Sequence, residues 1–303
     1  MPAAIGPGHH RRMIVERNAG ALQLLRESVR PLLILFAWDL FVVGAFQLAH
    51  RSWMDQPALP VTLIGSALIL FMSVRNNVAY ARWWEARTLW GAIVNNTRSF
   101  ARQAETLAEG RPDLTRAMIA YAKALRGALR GADASAEISP LLTPAMAELV
   151  LARNNKPNAI LYEIGREISR SVRVQHLDGA VHAGIDRILS DLANAQGGLE
   201  RIRNTPLAIQ FSIFPGLIAR VFCVLLPMSM VQELGWITPF GSTLAGFLYI
   251  ALDKIGADLE NPFQESVHAV PMAAISRTIE IDLLQSIGEP APAPVVPEHG
   301  VLR

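Results

Sequence analysis

The sequence predicts an all-α membrane protein in which four transmembrane helices carry a large helical cytosolic region. Three observations predict this class. The 303 residues are 51% hydrophobic with a mean hydropathy of +0.27, which is high for a soluble protein of this length. Four stretches are long and apolar enough to cross a bilayer. Between the second and third stretches, apolar residues recur at spacings of three and four, and strand signals are absent.

The four apolar stretches are the candidate spans. The first is interrupted by Asp39 and the third by Arg220, and the second and fourth are somewhat short. Burial inside a large soluble core is the alternative interpretation. The predicted spans cover residues 31–49, 57–74, 206–231 and 235–252.

The distribution of Lys and Arg predicts the orientation of these spans. The segment between the second and third spans holds 18 of them, the N-terminal stretch five, the first loop Arg51 and the last loop none. Basic residues favour the cytosolic side. We therefore expect a multi-pass protein of the inner (plasma) membrane with both termini in the cytosol and no cleavable leader.

Six segments follow along the chain. In the cytosolic region, Gly110 and Pro112 are expected to end the first helix, and Asp113 is expected to N-cap a second helix that runs to Arg130. Residues 131–143 are expected to form a loop. Three further helices are expected at 144–153, 157–172 and 180–203. The Pro-rich end from Glu289 is expected to be disordered. The segments are the cytosolic N-terminus (1–30), spans one and two (31–75), the cytosolic helical domain (76–205), spans three and four (206–252), a C-terminal helical segment (253–288) and the tail (289–303).

Asp39 and Arg220 are the two charges predicted within the membrane, where an ionisable side chain is costly. Counted from the inner ends of their spans, they lie about 12 Å and about 21 Å deep at 1.5 Å per residue. A direct ion pair, separate bonding to backbone or lipid headgroups, and an ion-attracting charge near a pore are all compatible with the sequence. Pro215 is a candidate kink that would alter these depths.

A polar and aromatic tract follows the second span, and its spacing favours one helix continuing from the membrane into water. Tyr80 and Trp84 are expected to stack, and Arg82 to pair with Glu85 at i, i+3. Arg87 is placed to lie over Trp83 or Trp84. With Trp90, these side chains predict an anchoring region at the inner interface rather than a nucleic-acid site.

Ser66, Leu70 and Val74 form a narrow stripe on the second span. The stripe is less bulky than a lipid-facing surface usually is, and Gly65 beside it favours close helix approach. Composition alone favours ordinary helix packing over the lining of a pore.

Catalytic and metal-binding patterns are missing from the sequence. The one cysteine, Cys223, excludes an intrachain disulfide and a cysteine-based metal cluster. The seven histidines are scattered, and His176 and His182 are not at i, i+4 spacing. We expect no enzyme activity, no metal site and no cofactor.

The tract after the second span resembles the signature of the bestrophin family, and particularly of its bacterial branch. Further segments match in the same order, and the resemblance covers roughly residues 15–285. The signature reads Arg75-Asn76-x-x-Ala79-Tyr80-x-Arg82-Trp83-Trp84-Glu85-Ala86-Arg87-x-x-Trp90-Gly91. The other segments are Glu200-Arg201-Ile202 with Asn204-Thr205-Pro206, Leu226-Pro227, Gly235-Trp236-x-Thr238-Pro239 and Asp258-x-Glu260-Asn261-Pro262-Phe263.

The resemblance implies a homopentameric ion channel with a single pore on the fivefold axis. Eukaryotic bestrophins mainly pass chloride and other small anions, whereas some bacterial members favour monovalent cations. The family's neck is formed by three apolar residues of the second span, which here correspond to Ser66, Leu70 and Val74. Family necks are typically Ile and Phe, so Ser and Val predict a wider and wetter neck that closes less tightly.

Two further expectations come from the resemblance. Calcium-gated members carry consecutive acidic residues after the Asn-Pro-Phe segment, whereas this chain has only Glu265 there, too few oxygens for a calcium clasp. Asp253, Asp258 and Glu260 are expected to cap or pair structurally. By family analogy, a second constriction falls near the start of the last cytosolic helix, at Ala180.

The predicted function is therefore passive conduction of small monovalent ions in the chloride-channel class, with lipid and four further copies of the chain as partners. Sodium or potassium selectivity is the main alternative, because apolar rings carry no net charge. A non-conducting membrane scaffold or sensor is the alternative from another class, and a transporter using Asp39 as a proton carrier is a third.

Overall fold

The computed structural model describes residues 17–51, 55–107, 110–175, 179–264, 266 and 268–296. These residues form eleven α-helices and no strand, together with short 3₁₀ turns at Ser139–Leu141 and Gly235–Ile237. The all-helical prediction is confirmed for this part of the chain. The helices are α1 (Arg17–Gln47), α2 (Ala58–Leu107), α3 (Pro112–Arg130), α4 (Ser135–Ile138), α5 (Pro144–Leu151), α6 (Lys156–Gln175), α7 (Gly179–Asn204), α8 (Ile209–Ser212), α9 (Phe214–Leu234), α10 (Thr238–Glu260) and α11 (Met272–Ser286).

The 50-residue helix α2 joins the two halves of the molecule. At 1.5 Å per residue it is about 75 Å long, more than twice the hydrocarbon thickness of a bilayer. It passes from Val74 to Arg75 without a break, as the sequence predicts. Beyond its last residue, Leu107, the chain reaches Gly110, whose φ of 71° an L side chain rarely adopts.

Three stretches are long and apolar enough to cross a membrane: Ser28–Gln47, Ala58–Glu105 and Ile209–Glu260. The third contains two helices, α9 and α10, which pack against each other after the turn at Gly235–Ile237. The four predicted spans therefore map onto α1, the first part of α2, α9 and α10. Four crossings stay a prediction.

The apolar core divides into a membrane-side part and a helical-region part. On the membrane side, Leu35 of α1, Leu68 of α2 and Phe222 of α9 are buried against one another. In the helical region, α3 is the central helix, and Met118 and Tyr121 are fully buried. Burial raises the pKa of Tyr121, whose hydroxyl donates to the carbonyl oxygen of Leu192 at 3.3 Å.

Several predicted boundaries are wrong in detail. Asp113 is in the first turn of α3 rather than at its N-cap, because Pro112 takes the first helical position and Asp113 instead accepts from Arg111. That hydrogen bond holds the pKa of Asp113 below its ordinary value. The expected loop 131–143 contains α4 and a 3₁₀ turn.

Helix α10 continues eight residues beyond the predicted end of the fourth span, into the segment predicted to be the helical C-terminal part, and there Asp253 and Glu260 find partners on neighbouring helices. The tail differs from the prediction. Glu289, the first residue of the expected disordered tail, pairs with Arg116 of α3. Residues 290–296 are irregular, and 297–303 lie outside the described residues.

Gly256 allows α10 to cross α2 closely. A Cβ added there would collide with Oδ1 of Asn76, and moving that side chain would break the hydrogen bond from its Nδ2 to the carbonyl oxygen of Leu252. We expect Gly256→Ala to destabilise the protein by about 1–3 kcal/mol, the usual range for overpacking. Thermal unfolding in detergent micelles measures the change.

Gly197 of α7 provides the matched control, since a Cβ added there meets no atom within 4 Å. Gly197→Ala should stabilise the protein by up to about 1 kcal/mol through helix propensity alone. Equal shifts of the unfolding temperature, with the same sign in both variants, would contradict a close approach of α2 and α10 that is specific to Gly256.

Candidate functional site

A wide face of α2 is left exposed by the other described helices, and the predicted stripe lies on it. Leu70 is 70% exposed and Val74 48% exposed, and Ser66 is exposed as well. On the opposite face, Leu68 and Met72 are buried against the other membrane-side helices. The stripe is thus available to line a pore, to contact lipid or to contact another copy of the chain.

The hydroxyl of Ser66 has a defined orientation. Its Oγ donates to the backbone carbonyl oxygen of Thr62 at 3.0 Å, and Thr62 Oγ1 likewise donates to the carbonyl oxygen of Ala58 at 2.9 Å. Both protons are thereby directed into the helix backbone. Each of the two hydroxyl oxygens therefore exposes its lone pairs on the outer surface of the helix.

Next to Val74, Arg75 connects α2 to the end of α10. Its side chain is buried, and its guanidinium pairs with Asp253 and lies 3.5 Å from Oε2 of Glu260. Glu260 also accepts from the hydroxyl of Ser212 at 3.1 Å. Arg75 therefore bonds α2 to α10 next to the predicted neck, and Glu260 joins α8 to the same cluster.

Asn76 adds a second bond at the same level, donating to the carbonyl oxygen of Leu252. Sequence reasoning singled out Arg75 and Asn76 but not their partner surface. The sequence does contain a pattern that indicates this surface. Asp253, Gly256 and Glu260 follow one another at spacings of three and four, which puts them on one face of α10.

Arg82 caps the C-terminal end of α7. It donates to the carbonyl oxygen of Thr205 at 2.6 Å and to that of Ile202. A guanidinium is favourable there because the last carbonyls of a helix are unpaired and carry partial negative charge. The predicted Arg82–Glu85 pair is wrong, since Glu85 pairs with Arg201 of α7 instead.

The aromatic side chains of the tract contact one another and a distant segment of the chain. Tyr80 and Trp84 lie with ring centroids 6.4 Å apart and planes 16° apart, as predicted. Trp83 donates from Nε1 to the carbonyl oxygen of His268 at 2.8 Å, which ties the segment after α10 to α2, and Trp90 is fully buried.

Arg87 does not behave as predicted. Within the part of the chain that the structure describes, it makes no cation–π contact with Trp83 or Trp84. Its Nη1 lies 3.8 Å from where a Cβ on Gly91 would stand, so the side chain follows the next turn of its own helix.

Asp39 is fully buried and is satisfied by two hydroxyl groups of α10. Ser242 donates to its Oδ1 at 3.1 Å, and Thr243 donates to its Oδ2 at 3.0 Å. The direct ion pair with Arg220 is therefore not formed. Asp39 instead bonds α1 to α10.

Arg220 lies nearer the start of its helix than predicted, because the predicted third span is interrupted. Helix α8 ends at Ser212, and α9 begins at Phe214 with Pro215 in its first turn, so this proline starts a helix rather than kinking one. Arg220 is six residues beyond Phe214, about 9 Å into α9. Its side chain is exposed near Asp253, at the membrane end nearest the helical region.

The remaining predicted residues are on the surface or outside the described residues. Ala180 is exposed on the first turn of α7, and Glu265 lies outside the described residues. The expected structural pairing of the preceding acidic residues is confirmed: Asp253 pairs with Arg75, Asp258 with Lys254 at 3.0 Å, and Glu260 with Ser212 and Arg75.

Comparison with known proteins gives a consistent result. The model of the bacterial and fungal bestrophin family matches residues 16–285. A voltage-dependent anion channel-forming protein of Mesorhizobium japonicum is 32% identical over 92% of this chain and 94% of its own length. The voltage-dependent anion channel-forming protein YneE of Escherichia coli K12 is 32% identical over 79% of this chain and 80% of its own length.

Solved structures show the same likeness in three dimensions. A crystal structure of a bacterial bestrophin homolog from Klebsiella pneumoniae superposes with a TM-score of 0.81 at 28% identity, covering 85% of this chain and 97% of that one. A crystal structure of a variant described only as a membrane protein gives a TM-score of 0.83 at 27% identity, covering 88% of this chain and 100% of the other.

Proposed function

The chain belongs to the bestrophin family, and we propose from this membership that it forms a homopentameric membrane channel of the chloride-channel class. The observation that carries the proposal is the set of relatives matched over most of their length, which are named voltage-dependent anion channel-forming proteins. Five copies surround one axial pore, and small monovalent ions pass through it without a catalytic step.

The neck of this pore is formed by Ser66, Leu70 and Val74 of α2. Their exposure in the single chain, opposite the buried Leu68 and Met72, supports this assignment because pore-lining side chains point away from the packed core of their own subunit. Leu70 is the apolar ring, and narrow apolar rings restrict ions by dewetting. Arg75, bonded to α10, fixes the inner end of this lining.

The orientation follows the distribution of basic residues. The helical region that continues from α2 is cytosolic, both termini face the cytosol, and α1, α2, α9 and α10 each cross the inner membrane once. A second, cytosolic constriction is formed by Ala180, and its exposure at the start of α7 is compatible with that role. No calcium clasp takes part in gating.

Selectivity for monovalent cations is the second candidate, and the hydroxyl orientation of Ser66 supports it. Since the proton is donated to the carbonyl oxygen of Thr62, five Ser66 oxygens at the outer neck would offer lone pairs to a passing ion. Lone pairs stabilise a cation and not an anion. The relatives' names favour anions, so the sign of the selectivity requires measurement.

Purified protein in a planar bilayer with asymmetric KCl tests the proposal. We expect a measurable current, and the sign of its reversal potential distinguishes chloride from potassium. An absence of current across lipid compositions and voltages would contradict the channel and favour a membrane scaffold. Mass measurement of the same sample checks for five copies.

A further inference from the structure

A groove with a volume of about 370 Å³ lies between α1, α9 and α10, at the membrane end nearest the helical region. Ile34, Leu35 and Trp38 of α1 form one wall, and Gly216 and Ala219 of α9 form the floor. The Trp38 ring is held in place because its Nε1 donates to the carbonyl oxygen of Val224 at 3.0 Å. The groove therefore has an apolar wall and a fixed shape.

Arg220 gives this groove a cationic end. The side chain is exposed, and no described residue pairs or hydrogen-bonds with its guanidinium. A guanidinium within a membrane helix normally finds a partner in protein, water or a headgroup. Its planar set of donors matches phosphate oxygens in particular.

Asp253 is the other charged side chain on the groove, and it is already engaged. Its Oδ1 accepts from Nη1 of the buried Arg75. The carboxylate is thus neutralised from the α2 side, whereas the guanidinium of Arg220 is not neutralised by any described residue. A ligand that combines an acyl chain with an anionic headgroup complements both parts of the groove.

We propose that this groove binds an anionic phospholipid of the inner leaflet, with an acyl chain along Ile34 and Trp38 and the headgroup phosphate on Arg220. The choice of leaflet rests on the orientation proposed above. Basic pockets between transmembrane helices on the cytoplasmic side are recognised sites for anionic headgroups. The lipid would connect α1 to α9 where Asp39 and Arg75 do not reach.

Native mass spectrometry of the detergent-solubilised protein tests this, with phosphatidylglycerol and phosphatidylcholine of identical acyl chains as probes. We expect wild type to retain phosphatidylglycerol preferentially. Arg220→Gln should bind it about fivefold more weakly, the factor expected for one basic side chain at an anionic membrane surface. Arg220→Lys keeps the charge but loses the planar set of donors, so its affinity should lie between those of wild type and Arg220→Gln.

Arg51→Gln is the matched control, because Arg51 is exposed and follows α1 at the opposite membrane end. It should leave phosphatidylglycerol binding unchanged. Equal binding of phosphatidylglycerol by wild type and Arg220→Gln, or equal binding of the two lipids by wild type, would overturn the proposal. The readout needs no ionic current, so its failure is distinguishable from failure of the channel proposal.

Discussion

Replacing Arg75 by alanine should destabilise the protein by about 2–3 kcal/mol, less than the loss of a partner from a fully buried ion pair, because the side chain of Asp253 is 35% exposed and can be hydrated. The arginine is 4% exposed, and its loss would leave the carboxylates of Asp253 and Glu260 without their guanidinium. The large effect comes from those stranded charges rather than from the bond itself. Chemical unfolding of the purified protein in detergent micelles measures it.

Two further variants test that explanation. Arg98→Ala breaks a partly exposed pair with Asp282, and its cost should be about 0–1 kcal/mol. Adding Asp253→Asn to Arg75→Ala should restore part of the lost stability, because one stranded charge is removed. Similar losses of stability in Arg75→Ala and Arg98→Ala would show that the Arg75–Asp253 pair contributes no more than an exposed ion pair.

Features that depend on one helix are predictable from the sequence. The passage of α2 through Val74 and Arg75 follows from an apolar run joined to polar residues at helical spacing, without an intervening helix breaker. The Tyr80–Trp84 contact likewise follows from i, i+4 geometry. These predictions hold because both partners lie on the same surface strip of one helix.

Features that depend on distant segments are not predictable in this way. Arg75 finds Asp253 on α10, and Arg82 finds the end of α7 instead of the nearby Glu85. A guanidinium that hydrogen-bonds to unpaired carbonyls at a helix end is stabilised by more free energy than one in an exposed i, i+3 ion pair. Only the packing of the helices brings those carbonyls within reach.

The depth of Arg220 illustrates a second limit. Hydropathy treats the residues from Pro206 onward as one continuous apolar stretch, whereas the chain makes a separate turn at Ile209–Ser212 and restarts at Phe214. A proline in the first turn favours a new helix as readily as a kink. Counting from the wrong helix start placed Arg220 too deep, at about 21 Å instead of about 9 Å.

Substituting the apolar ring of the proposed neck should produce the largest functional change. Leu70→Ser replaces five apolar side chains with five small hydroxyl-bearing ones at the same level of the pore, which should keep the neck filled with water. We expect single-channel conductance in a planar bilayer to rise severalfold. Folding should be unaffected, because Leu70 is exposed and contributes little to the core of its own subunit.

Leu248→Ser is the matched control for this substitution. Leu248 is 56% exposed on α10, so the same chemical change is made on a membrane helix away from the stripe. Its conductance should equal that of wild type. If Leu70→Ser conducts like wild type, or if both variants change conductance equally, then the exposed face of α2 contacts lipid or a neighbouring copy, and the ion path lies elsewhere.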